Sequence, residues 1–323
     1  MINDSNSTAL QGRILVTGGA GFLGRGILRR AAVEDWPCEF TIYSRDEQKQ
    51  DLCKRKFPDA EYILGDIRDT ERLALAMRRH DFVIHAAALK YVPEAESNVS
   101  ECVGINIDGT RSVIAAAHVA RVPCTVLIST DKAVEPLNTY GMTKAIAERL
   151  MYEASEQLDD QKFVSVRYGN VIGSTGSVVP LFKYQHEQTG MVTITDPTMT
   201  RFWIGIDQAI DLIAFAAKSA HSGSVVVPTP MSLEISRLAQ AVCGEDVKIK
   251  VIGTRPGERK HERLLSDAEA VKVSFVMLDN GDRYHVYYPH FERAETPVVL
   301  NSYTAERMPV EEFARIAADA EAV

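Results

Sequence analysis

Eight residues near the start of the chain, Thr17-Gly18-Gly19-Ala20-Gly21-Phe22-Leu23-Gly24, leave few folds to choose from. They follow an apolar stretch, residues 13–17, that reads as a strand, and they open a helical pattern over 22–32. Gly18, Gly21 and Gly24 stand three apart. A tight turn, close approach of backbone to a pyrophosphate, and close packing of helix on strand each require a missing Cβ. The helix then begins with free N–H groups and a positive dipole end, which suits phosphate. With a strand before it and a helix after it, the glycine run predicts a dinucleotide-binding turn.

The first half of the chain keeps this rhythm. Short apolar runs at 40–43, 62–64, 81–85, 125–128 and 164–166 alternate with helical stretches, the longest at 103–120 and 139–155. Such alternation predicts an α/β fold, a Rossmann-like doubly wound parallel sheet. After about Gly173 the rhythm breaks, although 208–220 and 224–227 read as one more helix and strand returning to the sheet. A last helix is expected near 310–318. The expected division is a cofactor-binding domain of residues 12–172 plus 203–228, and a smaller mixed α/β substrate-binding region of 173–202 and 229–323. No Pro/Gly/Ser linker separates them, so they should share an interface, with the site between them at the carboxyl ends of the strands.

Composition narrows the function classes. A formal net charge of -8 argues against a broad grip on nucleic acid or on an acidic membrane surface. The five cysteines are scattered, with no C-x-x-C spacing, which disfavours a disulfide framework or a zinc site and points to a reducing, cytoplasmic setting. No two of the eight histidines sit at a ligand spacing, so no metal is expected. Residues 1–11 are polar, lack the pattern of a signal peptide, and read as a frayed tail. No apolar run approaches the roughly 20 residues of a membrane span.

Cofactor choice is read where the second strand ends. An acidic residue there would hold the ribose 2′-hydroxyl of NAD; here stand Tyr43-Ser44-Arg45, a hydroxyl and a guanidinium that favour the 2′-phosphate of NADP. Ser44 could instead cap the next helix, with Arg45 solvated and Asp46 offsetting its charge. Asp66 and Ile67, after the third strand, are placed to flank the adenine, and Asp66 is almost as well suited to a structural turn. Farther on, Tyr140 and Lys144 are four apart on one helical face. An ammonium and an oxidised nicotinamide favour the phenolate, which can then take a proton from a hydroxyl. The pair follows a strand ending Leu127-Ile128-Ser129-Thr130, so Thr130 completes a Thr/Tyr/Lys set.

Gly18-x-x-Gly21-x-x-Gly24 with Tyr140-x-x-x-Lys144 resembles the extended short-chain dehydrogenase/reductase superfamily. The run Ser129-Thr130-Asp131-Lys132-Ala133 narrows the resemblance to the inverting UDP-N-acetylglucosamine 4,6-dehydratases. Tyr43-Ser44-Arg45-Asp46-Glu47, Gly65-Asp66-Ile67-Arg68-Asp69, the stretch from His85 to Pro93, Arg167-Tyr168-Gly169-Asn170-Val171, Met199-Thr200-Arg201-Phe202-Trp203 and Arg255-Pro256-Gly257-Glu258 agree with it, over roughly residues 13–266. The resemblance implies NADP held by Thr17, Gly18, Gly21, Phe22, Leu23, Gly24, Ser44, Arg45, Asp66, Ile67, Ala86, Ala87, Ala88 and Asn106, together with Tyr140 and Lys144. It implies substrate contacts from Lys90, Thr130, Asn170, Val178, Arg201, Arg255 and Glu258, and a homo-oligomer, a hexamer or a dimer. Arg201 and Arg255 suit a diphosphate because a guanidinium meets phosphate oxygens with paired hydrogen bonds. Asn170 could donate to the same diphosphate and Glu258 accept from the nucleotide ribose, while His85 is expected to be a packed residue near the cofactor.

The resemblance also assigns chemistry. Oxidising a 4-hydroxyl needs only Thr130, Tyr140 and Lys144, whereas eliminating water across C5 and C6 needs a further acid and base. Many sugar dehydratases place Asp-Glu here; this chain has Asp131-Lys132, implied to act as acid and base. Asp131 must then be protonated and Lys132 neutral when they act. Tyr140 points to inversion at C5, since relatives that retain the centre replace it. The rival expectations are a nucleotide-sugar C4 epimerase or dehydrogenase, and a sensor that binds NADP without turnover.

Overall fold

The computed structural model describes residues 9–278, 281 and 283–320. Most of the expected frayed tail, residues 1–8, lies outside them. Six strands run in parallel: β1 (Gly12–Thr17), β2 (Cys38–Ser44), β3 (Glu61–Leu64), β4 (Phe82–His85), β5 (Cys124–Ile128) and β6 (Lys162–Val166). Then come β7 (Asn170–Val171), β8 (Met191–Ile194), β9 (Thr200–Ile204), β10 (Val225–Pro228), β11 (Met231–Glu234), β12 (Lys248–Val251), β13 (Val273–Met277) and β14 (Arg283–Tyr287). The main sheet has the order β13-β14-β10-β6-β5-β4-β1-β2-β3, with β10 parallel to β6. The doubly wound α/β fold read from the sequence is therefore borne out.

Alternation along β1 shows how the sheet is clothed. Ile14 and Val16 face one apolar layer with Ile27 and Ile210, while Leu15 faces the other with Leu73 and Val113. All are buried, as strands covered on both faces require. Helix Phe22–Val33 and helix Ile206–Ser219 share the first layer, and helices Thr70–Ala76 and Gly109–Ala120 the second.

The smaller region has its own core, in which Trp203 meets Phe313 edge-on at 5.2 Å. It carries two small sheets, β11-β9-β7 and β12-β8, and the helices Val178–Thr189, Ile235–Cys243 and Val310–Asp319. Two features depart from the expected division. The break at 202/203 falls inside β9, and the hairpin β13–β14 leaves the smaller region to pair antiparallel with β10. β10 is buried throughout, so its open edge would have left unpaired backbone groups in an apolar setting; the hairpin satisfies them.

Candidate active site

The glycine turn is forced by contacts. Gly18 sits at φ +67°, and a Cβ there would come within 2.8 Å of the Ala87 Cα. A Cβ on Gly24 would overlap the Gly19 carbonyl, so the helix could not start so close to the turn. Gly21 caps helix Phe22–Val33 with no side-chain hydrogen bond, which leaves the first N–H groups for a ligand. This cradle opens into a cleft of about 590 Å³ at the carboxyl ends of β1, β2, β4 and β5. Gly18, Gly21, Phe22, Leu23, Ser44, Arg45, Asp66, Ile67 and Ala86 to Ala88 all line it, so a pyrophosphate-bearing dinucleotide fits the residues present.

Other expected cofactor residues lie behind the wall. Thr17 is buried, and its hydroxyl meets His85 Nδ1 at 2.8 Å and accepts from the Ala87 N–H at 3.3 Å. His85 Nε2 meets Thr110 Oγ1 at 3.1 Å, and that hydroxyl already donates to the Asn106 carbonyl at 2.7 Å. Nε2 must then carry the ring proton, with Nδ1 accepting from Thr17. Burial holds the imidazole neutral, its pKa lowered to about 3, with the Lys144 charge adding to the effect. Asn106, expected to touch the cofactor, is 1% exposed instead. Its amide exchanges two hydrogen bonds with Leu89 and donates to Thr143 Oγ1 at 2.9 Å, tying the Ala86–Ala88 wall to the helix that carries Tyr140.

At the end of β2 the structure separates Ser44 from the next helix. Asp46, not Ser44, caps helix Glu47–Lys56, accepting from the Lys49 N–H. Gln50 donates to the Ser44 hydroxyl and carbonyl, each at 3.0 Å, and to the Ile63 carbonyl. The two N–H groups of Gln50 are thus shared among three acceptors, and among the described residues the Ser44 hydroxyl donates to no protein group. Arg45 meets Glu101 at 3.3 Å, and Lys49, which sequence reading passed over, also lines the cleft. Asp66 both lines the cleft and serves its turn, since Arg68 binds its carboxylate through Nε and Nη2 and holds it below the usual carboxylate range.

The reactive groups stand on two adjoining turns. Thr130 begins a short turn, Asp131–Ala133, and its hydroxyl donates to Asp131 Oδ1 at 2.9 Å. Lys132 Nζ donates to the same oxygen at 2.9 Å. Asp131 is fully buried, and its other oxygen, Oδ2, has no hydrogen-bond partner. Burial alone would depress the Lys132 ammonium, but Asp131 and Glu262 outweigh it and leave its pKa raised. Asn138 caps helix Thr139–Gln157, and a Cβ on Gly141 would strike the Lys132 carbonyl. Gly141 therefore lets the helix close onto the Asp131 turn, a role with no signature in the residues around it. Tyr140 lines the cleft, and burial raises its phenol to about 12, Asp131 adding to this while Lys132 and Thr130 oppose it. Lys144 lies behind it, its pKa lowered by burial to about 8.

On the substrate side, Lys90, Thr130 and Asn170 line the cleft with Lys132. Val178, Arg201, Arg255 and Glu258 do not. Arg201 is 8% exposed and turned onto protein carboxylates: Glu258 at 3.3 Å and Glu262 at 3.7 Å. A buried guanidinium needs such compensation, and single-sequence reading could not supply its partners. Glu258 also accepts from the Thr195 hydroxyl and the Arg255 N–H, while Arg255 itself is exposed. Among the described residues no three His, Cys, Asp or Glu side chains gather as a metal site, and no helix is long and apolar enough to cross a membrane.

The chain is 41% identical to an inverting UDP-N-acetylglucosamine 4,6-dehydratase of Campylobacter jejuni over 262 residues, 80% of this chain and 78% of that one. It is 36% identical to a UDP-glucose 4-epimerase of Rickettsia bellii over 321 residues, 93% of each. Among solved structures, Pen from Bacillus thuringiensis superposes with a TM-score of 0.87 at 32% identity, covering 97% of this chain and 98% of that one. A dTDP-glucose 4,6-dehydratase from Streptomyces venezuelae with NAD bound shares the fold, at a TM-score of 0.69 and 22% identity over 77% of this chain and 86% of that one. The sequence profile of polysaccharide biosynthesis proteins matches residues 14–277, which takes in both the glycine cradle and the Asp131 turn, and the chain belongs to that family.

Proposed function

We propose that this protein is a C5-inverting UDP-N-acetylglucosamine 4,6-dehydratase that works with NADP. The observation that carries the proposal is the Lys132–Asp131 hydrogen bond of 2.9 Å on the turn that also holds Thr130, beside Tyr140 in the cleft. A nicotinamide dinucleotide, when bound, accepts a hydride from the sugar and later returns it, so the cycle is redox-neutral. The Gly18–Leu23 turn would hold its pyrophosphate, Asp66 and Ile67 its adenine, and Ser44, Arg45 and Lys49 a 2′-phosphate. Ser44, whose hydroxyl donates to no protein group among the described residues, supports the 2′-phosphate.

Thr130 orients the 4-hydroxyl and Tyr140, as phenolate, takes its proton. The phenol is neutral at rest, so before the cycle begins it gives its own proton to solvent in the cleft, a loss that the Lys132 charge and the Thr130 hydroxyl favour. A C4 carbonyl then acidifies the C5 proton. The Lys132 proton crosses to Asp131 along their existing hydrogen bond, giving a free amine beside a carboxylic acid. Lys132 takes the C5 proton while Asp131 protonates the C6 hydroxyl, which leaves as water and restores the ion pair. Tyr140 returns its proton to C5 on the opposite face, which restores the phenolate that began the cycle.

The test is turnover of UDP-N-acetylglucosamine in deuterated water, followed by mass spectrometry and proton NMR. Loss of one water, one deuterium at C5 and an L-arabino 4-keto product are expected. Retained configuration would discard the assignment of Tyr140. Conversion to the C4 epimer without loss of water would favour an epimerase, the name borne by relatives that match more of the chain. No turnover with NADP bound would favour a sensor. For the cofactor, Arg45→Ala is expected to weaken NADP about tenfold by calorimetry and NAD by less than about twofold. Equal loss for both would overturn the preference for NADP.

Two further expectations belong to the same proposal. Five free thiols support a reducing, cytoplasmic setting. Met142 and Ile146, a turn apart and 49% and 46% exposed on helix Thr139–Gln157, support a homo-oligomer.

A further inference from the structure

Between the Asp131 turn and the helix that carries Tyr140 runs a short loop, Val134 to Asn138. The turn and the helix lie against each other where Gly141 meets the Lys132 carbonyl, so the loop that joins them must double back. It does so at Glu135, which has φ +44°. Left-handed backbone suits glycine, and asparagine or aspartate far better than glutamate. Pro136 follows, and a residue before proline is normally held extended. Among the described residues Asp35, Arg79 and Arg121 also have positive φ without being glycine, but each trails an α-helix, where a left-handed residue is a common ending. Glu135 trails none. Such backbone persists only where its surroundings over-determine it. The segment 257–263 of the smaller region supplies those surroundings. Arg259 donates to the Glu135 carbonyl, and Arg263 Nη1 lies 3.2 and 3.4 Å from the two oxygens of the Glu135 carboxylate. Three residues on, Asn138 Nδ2 donates to the Gly257 carbonyl at 3.2 Å.

We propose that Glu135 is a positioning residue for the reaction: gripped by Arg259 and Arg263, it keeps a strained loop folded and so sets the Asp131 turn against the start of the Tyr140 helix. Its backbone is held by one arginine and its side chain by the other, both from outside the loop. Loss of the carboxylate grip lets the loop relax toward an ordinary φ. The turn and the helix cannot then both keep their places, and Lys132 moves relative to Tyr140. A shift of this size misaligns a proton donor without touching it.

The inference takes its meaning from the dehydratase proposal, but its test begins without substrate. Glu135→Ala and Glu135→Asn both remove the carboxylate, and only the alanine leaves the backbone strained, because asparagine accepts positive φ. Hydrogen exchange is read by mass spectrometry on the peptide spanning 131–138, in which the Asp131, Ala133 and Val134 N–H groups donate to the Tyr168, Thr130 and Asp131 carbonyls. Exchange should be about tenfold faster in Glu135→Ala and within about threefold of wild type in Glu135→Asn, with the β5 peptide 124–128 unmoved in both. Arg263→Met cuts the same grip from the other side, stands in should Glu135→Ala not fold, and should match it within about twofold. With UDP-N-acetylglucosamine, Glu135→Ala should lower kcat about tenfold and leave KM within about threefold, and Glu135→Asn should recover most of that rate. An ion pair that only stabilised the fold would leave the alanine and asparagine variants alike. Equal exchange in those two variants, or wild-type exchange in Glu135→Ala or Arg263→Met, would therefore overturn the proposal. Wild-type protein that fails to dehydrate the substrate would overturn the dehydratase reading alone, with the exchange result still deciding on Glu135.

Discussion

Two buried clusters of charge lie close along the chain yet are built on opposite principles. Around Arg167, every N–H finds an acceptor: Glu148 takes Nε and Nη2, Glu269 takes Nη1 and Nη2, and the Leu264 carbonyl takes Nη1. Glu148 also accepts from the Ser129 hydroxyl, and Glu269 from the backbone and hydroxyl of Ser266. Around Asp131, one oxygen has no partner, and Arg201 meets Glu262 only at ion-pair distance. The first cluster is shut off from solvent and leaves no donor of its arginine unused, whereas the second opens through Lys132 onto the cleft. A saturated network has one arrangement and is rigid; an unsaturated one has protons to move. Glu148 lies one turn beyond Lys144 on the same helix, so the closed cluster braces the open one.

The largest effect that could break this contrast is on stability. Arg167→Met strands two buried carboxylates and should cost about 3–5 kcal/mol in denaturant unfolding. A loss under about 1 kcal/mol would mean that the cluster is not the brace described. Asp131→Asn should move stability by less than about 1 kcal/mol, because it removes a charge whose second oxygen had no partner. Its kcat should nonetheless fall by about 10² to 10⁴, the usual range for removing a general acid. If Asp131→Asn cost as much stability as Arg167→Met, the two clusters would differ in appearance only.

What could be read from the sequence was what is local. The glycine turn, the short apolar strands and the Tyr140/Lys144 spacing each express a constraint within a few residues, and the Rossmann-like sheet followed from their order. The hairpin β13–β14 went unread because β13 is largely exposed and the partner of β14, β10, is some 60 residues away in sequence. The partners of Arg201 and Arg167 were equally hidden, the latter separated from Glu269 by 102 positions. Gln50 has no motif, since it acts by orienting Ser44 rather than by touching a ligand. Asn106 was expected at the cofactor because it lies in the right stretch; its buried amide, bonded to Leu89 and to Thr143, depends on partners that no local pattern announces.

The hairpin on β10 bears on how this protein comes off the ribosome. A nascent chain that has reached residue 228 already contains all seven parallel strands, yet it exposes one full side of β10 and holds Arg167 without Leu264 or Glu269. The sheet is sealed only when residues near 287 have emerged, some 60 residues after β10. Until then the brace behind Lys144 is half built, so the site is finished only after the hairpin has formed.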